Sequence, residues 1–131
     1  MKTESILIVD DNPTIARLMK VMLNRLGYES LIAEDGASAL SIIQHETIDL
    51  ILLDVLMPGI NGIEVLKQIR AYDRQTGRHT IVILITAQDS ASVRHQISPD
   101  LQVDGYLTKP IKAHTLRDEI ARLTGKPTPS A

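Results

Sequence analysis

The chain contains no cysteine, no phenylalanine and no tryptophan, and only three tyrosines among 131 residues. Without cysteine there is no disulfide framework, no thiolate metal site and no cysteine nucleophile. That removes the stapled secreted domains and leaves the cytoplasm as the expected compartment. So few aromatic rings exclude a stacking platform for single-stranded nucleic acid, and the core has to be built from Ile, Leu, Val, Ala and Met. An excess of positive charge is missing as well. Lys and Arg total 14 against 16 Asp and Glu, a formal charge of −2, which argues against a nucleic-acid or anionic-membrane surface. No stretch of 18 uncharged apolar residues and no N-terminal apolar run long enough for a signal h-region is found, so neither a spanning helix nor a secretory leader is expected.

What remains is 44% hydrophobic and 23% charged, the composition of one ordinary globular domain. Short apolar runs at Ser5–Val9, Ser30–Ala33, Leu50–Leu53, Ile81–Ile85 and Tyr106–Leu107 read as strands. The uninterrupted Ile81 Val82 Ile83 Leu84 Ile85 lacks period-two alternation, as a parallel strand covered on both faces does. Between these runs the period turns helical. Ile15, Leu18, Met19, Met22, Leu23 and Leu26 form one stripe, with Asn12 as N-cap, Pro13 at the first helical position and Gly27 just past the end. Further helices are expected at Ala37–His45, Gly62–Tyr72 and Lys112–Leu123, with Leu116, Ile120 and Leu123 buried in the last. A helix at Ser90–Ile97 is stopped by Pro99. Strands alternating with crossover helices make a three-layer, doubly wound α/β sheet of five βα units. Thr124 to Ala131 reads as a tail or linker.

Ligands of open α/β sheets bind beyond the carboxyl ends of the strands. There the chain places Asp10 and Asp11 after strand one, Asp54 after strand three, Thr86 after strand four and Lys109 beyond strand five. If strands one, three and four are adjacent, three carboxylates converge, each pair repelling by roughly 4 kcal/mol at 4 Å and an effective dielectric near 20. Mg²⁺ fits such a set best, leaving one Asp as nucleophile toward a phosphoryl group while Lys and hydroxyl spread its charge. Blander roles exist for each residue alone. Asp11 or Asn12 can cap the first helix, Asp54 can be a turn residue before Met57 Pro58 Gly59, Thr86 and Lys109 can be surface groups, and Tyr106 can be core with a wet hydroxyl. The four His show no metal-ligand spacing, and Lys112, Arg117 and Arg122 suit a solvated helix face.

Ile6 Leu7 Ile8 Val9 Asp10 Asp11 Asn12, Leu52 Leu53 Asp54 Val55 Leu56 Met57 Pro58 Gly59, Thr86 Ala87 and Tyr106 Leu107 Thr108 Lys109 Pro110 stand in the order and spacing of one family. Over residues 5–123 the chain resembles a response-regulator receiver domain of two-component signalling, of the chemotaxis-regulator type. The resemblance implies a flavodoxin-like sheet of order 2-1-3-4-5 and a phosphoryl group accepted by Asp54 from a sensor histidine kinase or phosphotransfer protein. It implies Mg²⁺, with Mn²⁺ as a substitute, held by Asp11, Asp54 and the Leu56 carbonyl, with Asp10 acting through water. It further implies Lys109 on the acyl phosphate, a cis Lys109–Pro110 peptide, and Thr86 with Tyr106 as switch residues. By the same resemblance, Leu56 and Gln88 would overlie the phosphosite and influence its lifetime. Such a protein is a switch and not a turnover enzyme. It signals through the face of the fourth helix, strand five and the last helix to a downstream protein effector, or to an effector domain if the chain is a fragment.

Two departures and two rivals stand beside this. The segment Ser98 to Gly105 lacks the Gly-Ala-Asp lead into strand five, and the connection from Ala71 to Thr80 is long. A phosphatase resembling the haloacid dehalogenases would carry its acids as D-x-D after strand one, whereas Asp10 and Asp11 are adjacent. A pseudo-receiver would lack an acid or the lysine, and here none is missing.

Overall fold

The computed structural model describes residues 5–55, 62–87 and 97–126. Five parallel strands, β1 (Ser5–Val9), β2 (Glu29–Ala33), β3 (Leu50–Asp54), β4 (Ile81–Thr86) and β5 (Gly105–Thr108), form one sheet of order β2-β1-β3-β4-β5. Four α-helices are present among the described residues: α1 (Pro13–Arg25), α2 (Gly36–His45), α3 (Gly62–Thr76) and α4 (Ala113–Thr124). The expected helix at Ser90–Ile97 falls almost wholly outside the described residues. Only Ile97 is described, and it is non-helical, followed by a 3₁₀ turn at Pro99–Leu101. The expected doubly wound α/β architecture is thus observed.

Side-chain alternation splits the central strands between two cores. Leu7, Val9, Ile51, Leu53, Val82 and Leu84 pack with Ala39 and Ile43 of α2 and Val65, Leu66 and Ile69 of α3. Ile6, Ile8, Leu50, Leu52, Ile83 and Ile85 pack with Ala16, Met19 and Leu23 of α1 and Leu116 and Ile120 of α4. Burial on both faces is why these strands are uninterrupted hydrophobic runs, each full Leu or Ile burial contributing about 1.5–3 kcal/mol. Leu18 departs from the stripe read in the sequence: it is 52% exposed, beside Val21 at 47%. The helix buries only the arc centred on Ala16, Met19 and Leu23, and Leu18 stands about 100° round from Met19. Leu123 is likewise half-buried and not fully enclosed.

The helix ends follow their sequence signals. The Asn12 side chain accepts from the Thr14 and Ile15 amides at 3.0 and 3.2 Å, and Gly27 takes φ +90° after α1. Asn12, and not Asp11, is therefore the cap. Asp35 caps α2 by accepting from the Ser38 amide at 2.7 Å, a bond that holds its carboxyl below the usual range. A depressed folded-state pKa means this capping contribution is present above the unfolded value and lost as pH falls through the folded one. At the open edge of the sheet the Lys20 ammonium donates to the Ser30 carbonyl of β2, occupying an outward backbone acceptor that a second chain could otherwise use.

The lead into β5 is where the sequence looked irregular. Gln102 adopts φ +52°, left-handed for a residue with a Cβ. Gln102→Gly is expected to raise stability by about 1 kcal/mol, read as a higher urea midpoint at unchanged slope.

Candidate functional site: an acidic pocket at the strand ends

Five of the residues singled out in the sequence lie at the carboxyl end of the sheet. Asp10 and Asp11 follow β1, Asp54 is the last residue of β3, Thr86 the last of β4, and Lys109 follows β5. β1 lies beside β3 and β3 beside β4, so topology alone brings the acids and Thr86 into one neighbourhood. One carboxylate oxygen from each of Asp10, Asp11 and Asp54 lies within 4.8 Å of the others. Lys109 Nζ stands 3.4 Å from Asp54 Oδ2 and 3.7 Å from Asp10 Oδ2. Asp10, Asp54 and Thr86 are buried, whereas Asp11 is exposed.

Local structure fixes each group. Asp10 Oδ1 accepts from the Asn12 amide at 2.9 Å, which turns the carboxylate toward the crevice. Its Oδ2 is buried without a hydrogen-bond donor. Val55 donates its amide to the Ile85 carbonyl at 3.1 Å, and Gly62 donates to the Val55 carbonyl at 2.8 Å, so the chain around Asp54 is held by β4 and by the start of α3. A Cβ on Gly62 would meet the Asp54 carbonyl oxygen at 2.4 Å and the Val55 Cα at 2.7 Å. Gly62 is therefore required where the helix meets the strand end, a role the sequence did not reveal because the close approach is tertiary. The Lys109 amide donates to the Thr86 carbonyl at 2.8 Å, and the Lys109–Pro110 peptide is cis.

Three carboxylates with one ammonium leave net negative charge in a partly desolvated crevice, and an orphaned buried carboxylate oxygen faces it. A hard divalent cation with oxygen ligands matches that donor set. Tyr106 lies in β5, half-buried against the α2–α3 core, and its amide donates to Glu119 Oε2 at 3.3 Å. Leu56 and Gln88 lie outside the described residues.

The model of the response regulator receiver domain matches residues 6–121 of this chain. The chain belongs to the response regulator receiver domain family. The chemotaxis protein CheY-3 of Vibrio cholerae is 38% identical over 125 residues, covering 93% of this chain and 92% of its own length. The sensory transduction protein RegX3 of Mycolicibacterium smegmatis is 37% identical over 91% of this chain. The chain spans only 48% of RegX3 and 13% of the sensor protein GacS of Pseudomonas syringae pv. syringae. Among solved structures, the response regulator TrrA of Thermotoga maritima, in complex with Mg²⁺ and BeF, superposes with a TM-score of 0.80 at 35% identity, covering 92% of this chain and 99% of TrrA. The receiver domain of the sensor histidine kinase PA1611 from Pseudomonas aeruginosa carries a magnesium ion in its active-site cleft. It matches with a TM-score of 0.82 at 29% identity over 95% of this chain and all of its own. Membership sets this chain apart from the haloacid-dehalogenase family, and no described helix is long and apolar enough to cross a membrane.

Two groups at the opposite end of the strands were not anticipated. Buried Arg70 of α3 and half-buried Asp104 before β5 form a network with buried Asp73 and Thr80 that reaches the surface at His79. The long connection from Ala71 to Thr80 is explained by it: α3 runs on to Thr76 so that Asp73 can turn back onto the Thr80 amide and hydroxyl.

Proposed function

We propose that the chain is a phosphorylation-activated switch of a two-component phosphorelay, with Asp54 as the phosphoryl acceptor. The observation that carries this is the convergence of Asp10, Asp11, Asp54 and Lys109 within a family whose members couple such a site to signalling. An Asp54 carboxylate oxygen attacks the phosphorus of a phosphohistidine on a sensor kinase or phosphotransfer protein. The P–O bond forms as the P–N bond breaks, and the imidazole nitrogen keeps the electron pair.

Asp11, Asp54 and the Leu56 carbonyl would hold Mg²⁺ or Mn²⁺, with Asp10 acting through a water. When bound, the ion neutralises charge on the transferring oxygens. Lys109, already 3.4 Å from Asp54, pairs with the acyl phosphate, and Thr86 donates its hydroxyl to a phosphoryl oxygen. That draws in the strand-four loop and lets Tyr106 report the change. Leu56 shields the acyl phosphate and Gln88 orients an attacking water.

The receiver unit is assigned to residues 5–123, with 124–131 as tail or linker. Its output passes through the face of the Ser90–Ile97 segment, β5 and α4 to a protein effector, or to an effector domain of a longer chain. The protein acts in the cytoplasm, catalyses only its own phosphorylation and dephosphorylation, and binds no nucleic acid directly. The test is incubation with a small acyl-phosphate donor and Mg²⁺, followed by hydroxylamine. One phosphoryl adduct that hydroxylamine removes supports the reading, and an adduct resistant to hydroxylamine, as a phosphoester would be, contradicts it.

A further inference from the structure

β5 leads directly into Lys109, whose ammonium stands 3.4 Å from Asp54, yet the strand has little of its own to set its register. It is an edge strand of four residues. Its first residue, Gly105, has no side chain to pack, because Glu119 Oε2 of α4 lies 2.6 Å from where a Cβ would be. Leu107 is then the one buried apolar side chain that β5 offers to fix its register, and a slip of one residue exchanges the faces of every side chain. Here it would exchange Leu107, packed with the α1–α4 core, for Tyr106, packed with the α2–α3 core. It would also carry Lys109 along the strand by about 3.3 Å, a distance comparable to its present separation from Asp54.

At the opposite end from the acids, Asp104 grips β4 at two points. Its amide donates to the Val82 carbonyl at 3.0 Å, and its Oδ2 accepts from the Val82 amide at 2.8 Å. The carboxylate is itself held: Arg70 Nη2 donates to Oδ2 at 3.0 Å, and His79 Nε2 lies 2.8 Å from Oδ1. Arg70 is buried and donates onward to the Leu101 and Gln102 carbonyls at 2.7 Å each, so the lead into β5 is fastened to α3. From the other layer, Arg122 Nη2 approaches the Asp104 carbonyl at 3.4 Å.

We infer that Asp104, clamped by Arg70, is a positioning residue for Lys109: it pins the register of β5 on β4 and so sets the lysine opposite Asp54 from the far end of the strand. This rests on the phosphoryl-transfer reading above for its chemical consequence, though not for its geometry. The carboxylates proposed to hold the metal, Asp10 and Asp11 after β1 and Asp54 at the end of β3, make no contact with this clamp.

The test compares wild type, Asp104→Ala, Asp104→Asn and Lys109→Ala. In Asp104→Ala, adduct formation from a small acyl-phosphate donor at saturating Mg²⁺ should fall about ten- to a hundredfold, while affinity for Mg²⁺ alone stays at the wild-type value. The Lys109 amide, bonded to Thr86 in the native register, should lose protection from hydrogen exchange. Asp104→Asn keeps an acceptor for Val82 and should recover most of the rate, and adding Asp104→Ala to Lys109→Ala should cost little more. If Asp104→Ala does not fold, Asp104→Ser, whose hydroxyl cannot reach Val82 and Arg70 together, is read in its place. Lower stability with an unchanged adduct rate would make the clamp merely structural and overturn the inference. A wild type that forms no adduct would overturn the proposed function instead, and the Lys109 amide would still decide the register: unchanged protection in the variant overturns it.

Discussion

Arg70→Met is expected to remove about 3–5 kcal/mol of folding stability, the range for breaking a buried ion pair by deleting one partner. Against a total of about 5–15 kcal/mol for a domain of this size, few substitutions in the chain should do more damage. Arg70 donates five hydrogen bonds, to Leu101, Gln102 and Thr80 carbonyls and to the Asp73 and Asp104 carboxylates. Methionine fills similar volume but leaves Asp73 buried with only the Thr80 amide and hydroxyl as donors. Most of the loss therefore comes from uncompensated charge and not from lost packing. Arg70→Lys should recover little of it, since one ammonium cannot span acceptors on α3, β4 and the β5 lead-in as the planar fork does. Urea unfolding of the variants checks both statements. A loss under 1 kcal/mol for Arg70→Met would mean that the network is not a stabilising element.

The second large effect is one of opposite sign in two conditions. Asp10 is wholly buried, with Oδ2 lacking a donor and two further carboxylates close by. At 4.8 Å and an effective dielectric near 20, each like-charged pair costs roughly 3 kcal/mol, offset in part by Lys109. Without divalent cation, Asp10→Asn should therefore be more stable than wild type, by about 1–2 kcal/mol after the lysine's share is taken off. With Mg²⁺ at a hundred times its dissociation constant, wild type should gain about 2.7 kcal/mol by mass action, and the variant far less. Melting temperatures of both proteins in chelator and in Mg²⁺ should thus cross. Parallel shifts in the two proteins would show that Asp10 does not belong to the cation site.

The two outcomes also show what kind of information a sequence holds. That Asp10, Asp11, Asp54, Thr86 and Lys109 gather at one end of the sheet was legible because each stands at or just past the end of an apolar run, and strand order brings those ends together. The clamp was not legible. Arg70 and Asp104 are 34 residues apart, and in sequence Arg70 is one more polar residue on an amphipathic helix. Gly62 resembled an ordinary helix start, since only the approach of the Asp54 backbone makes a Cβ intolerable there. Leu18 misled for the reverse reason: helical period identifies an apolar stripe, but how wide an arc the sheet covers is a tertiary fact. The missing glycine before β5 was noticed as an irregularity, and the structure turns it into a residue held left-handed at Gln102, whose carbonyl Arg70 grips.

The most direct test of the central claim is the intact mass of wild type and Asp54→Asn after exposure to a small acyl-phosphate donor, each with Mg²⁺ and with chelator. One phosphoryl adduct is expected in wild type with Mg²⁺ and none in the other three samples. An adduct that survives in Asp54→Asn, or that forms equally well in chelator, would contradict that claim.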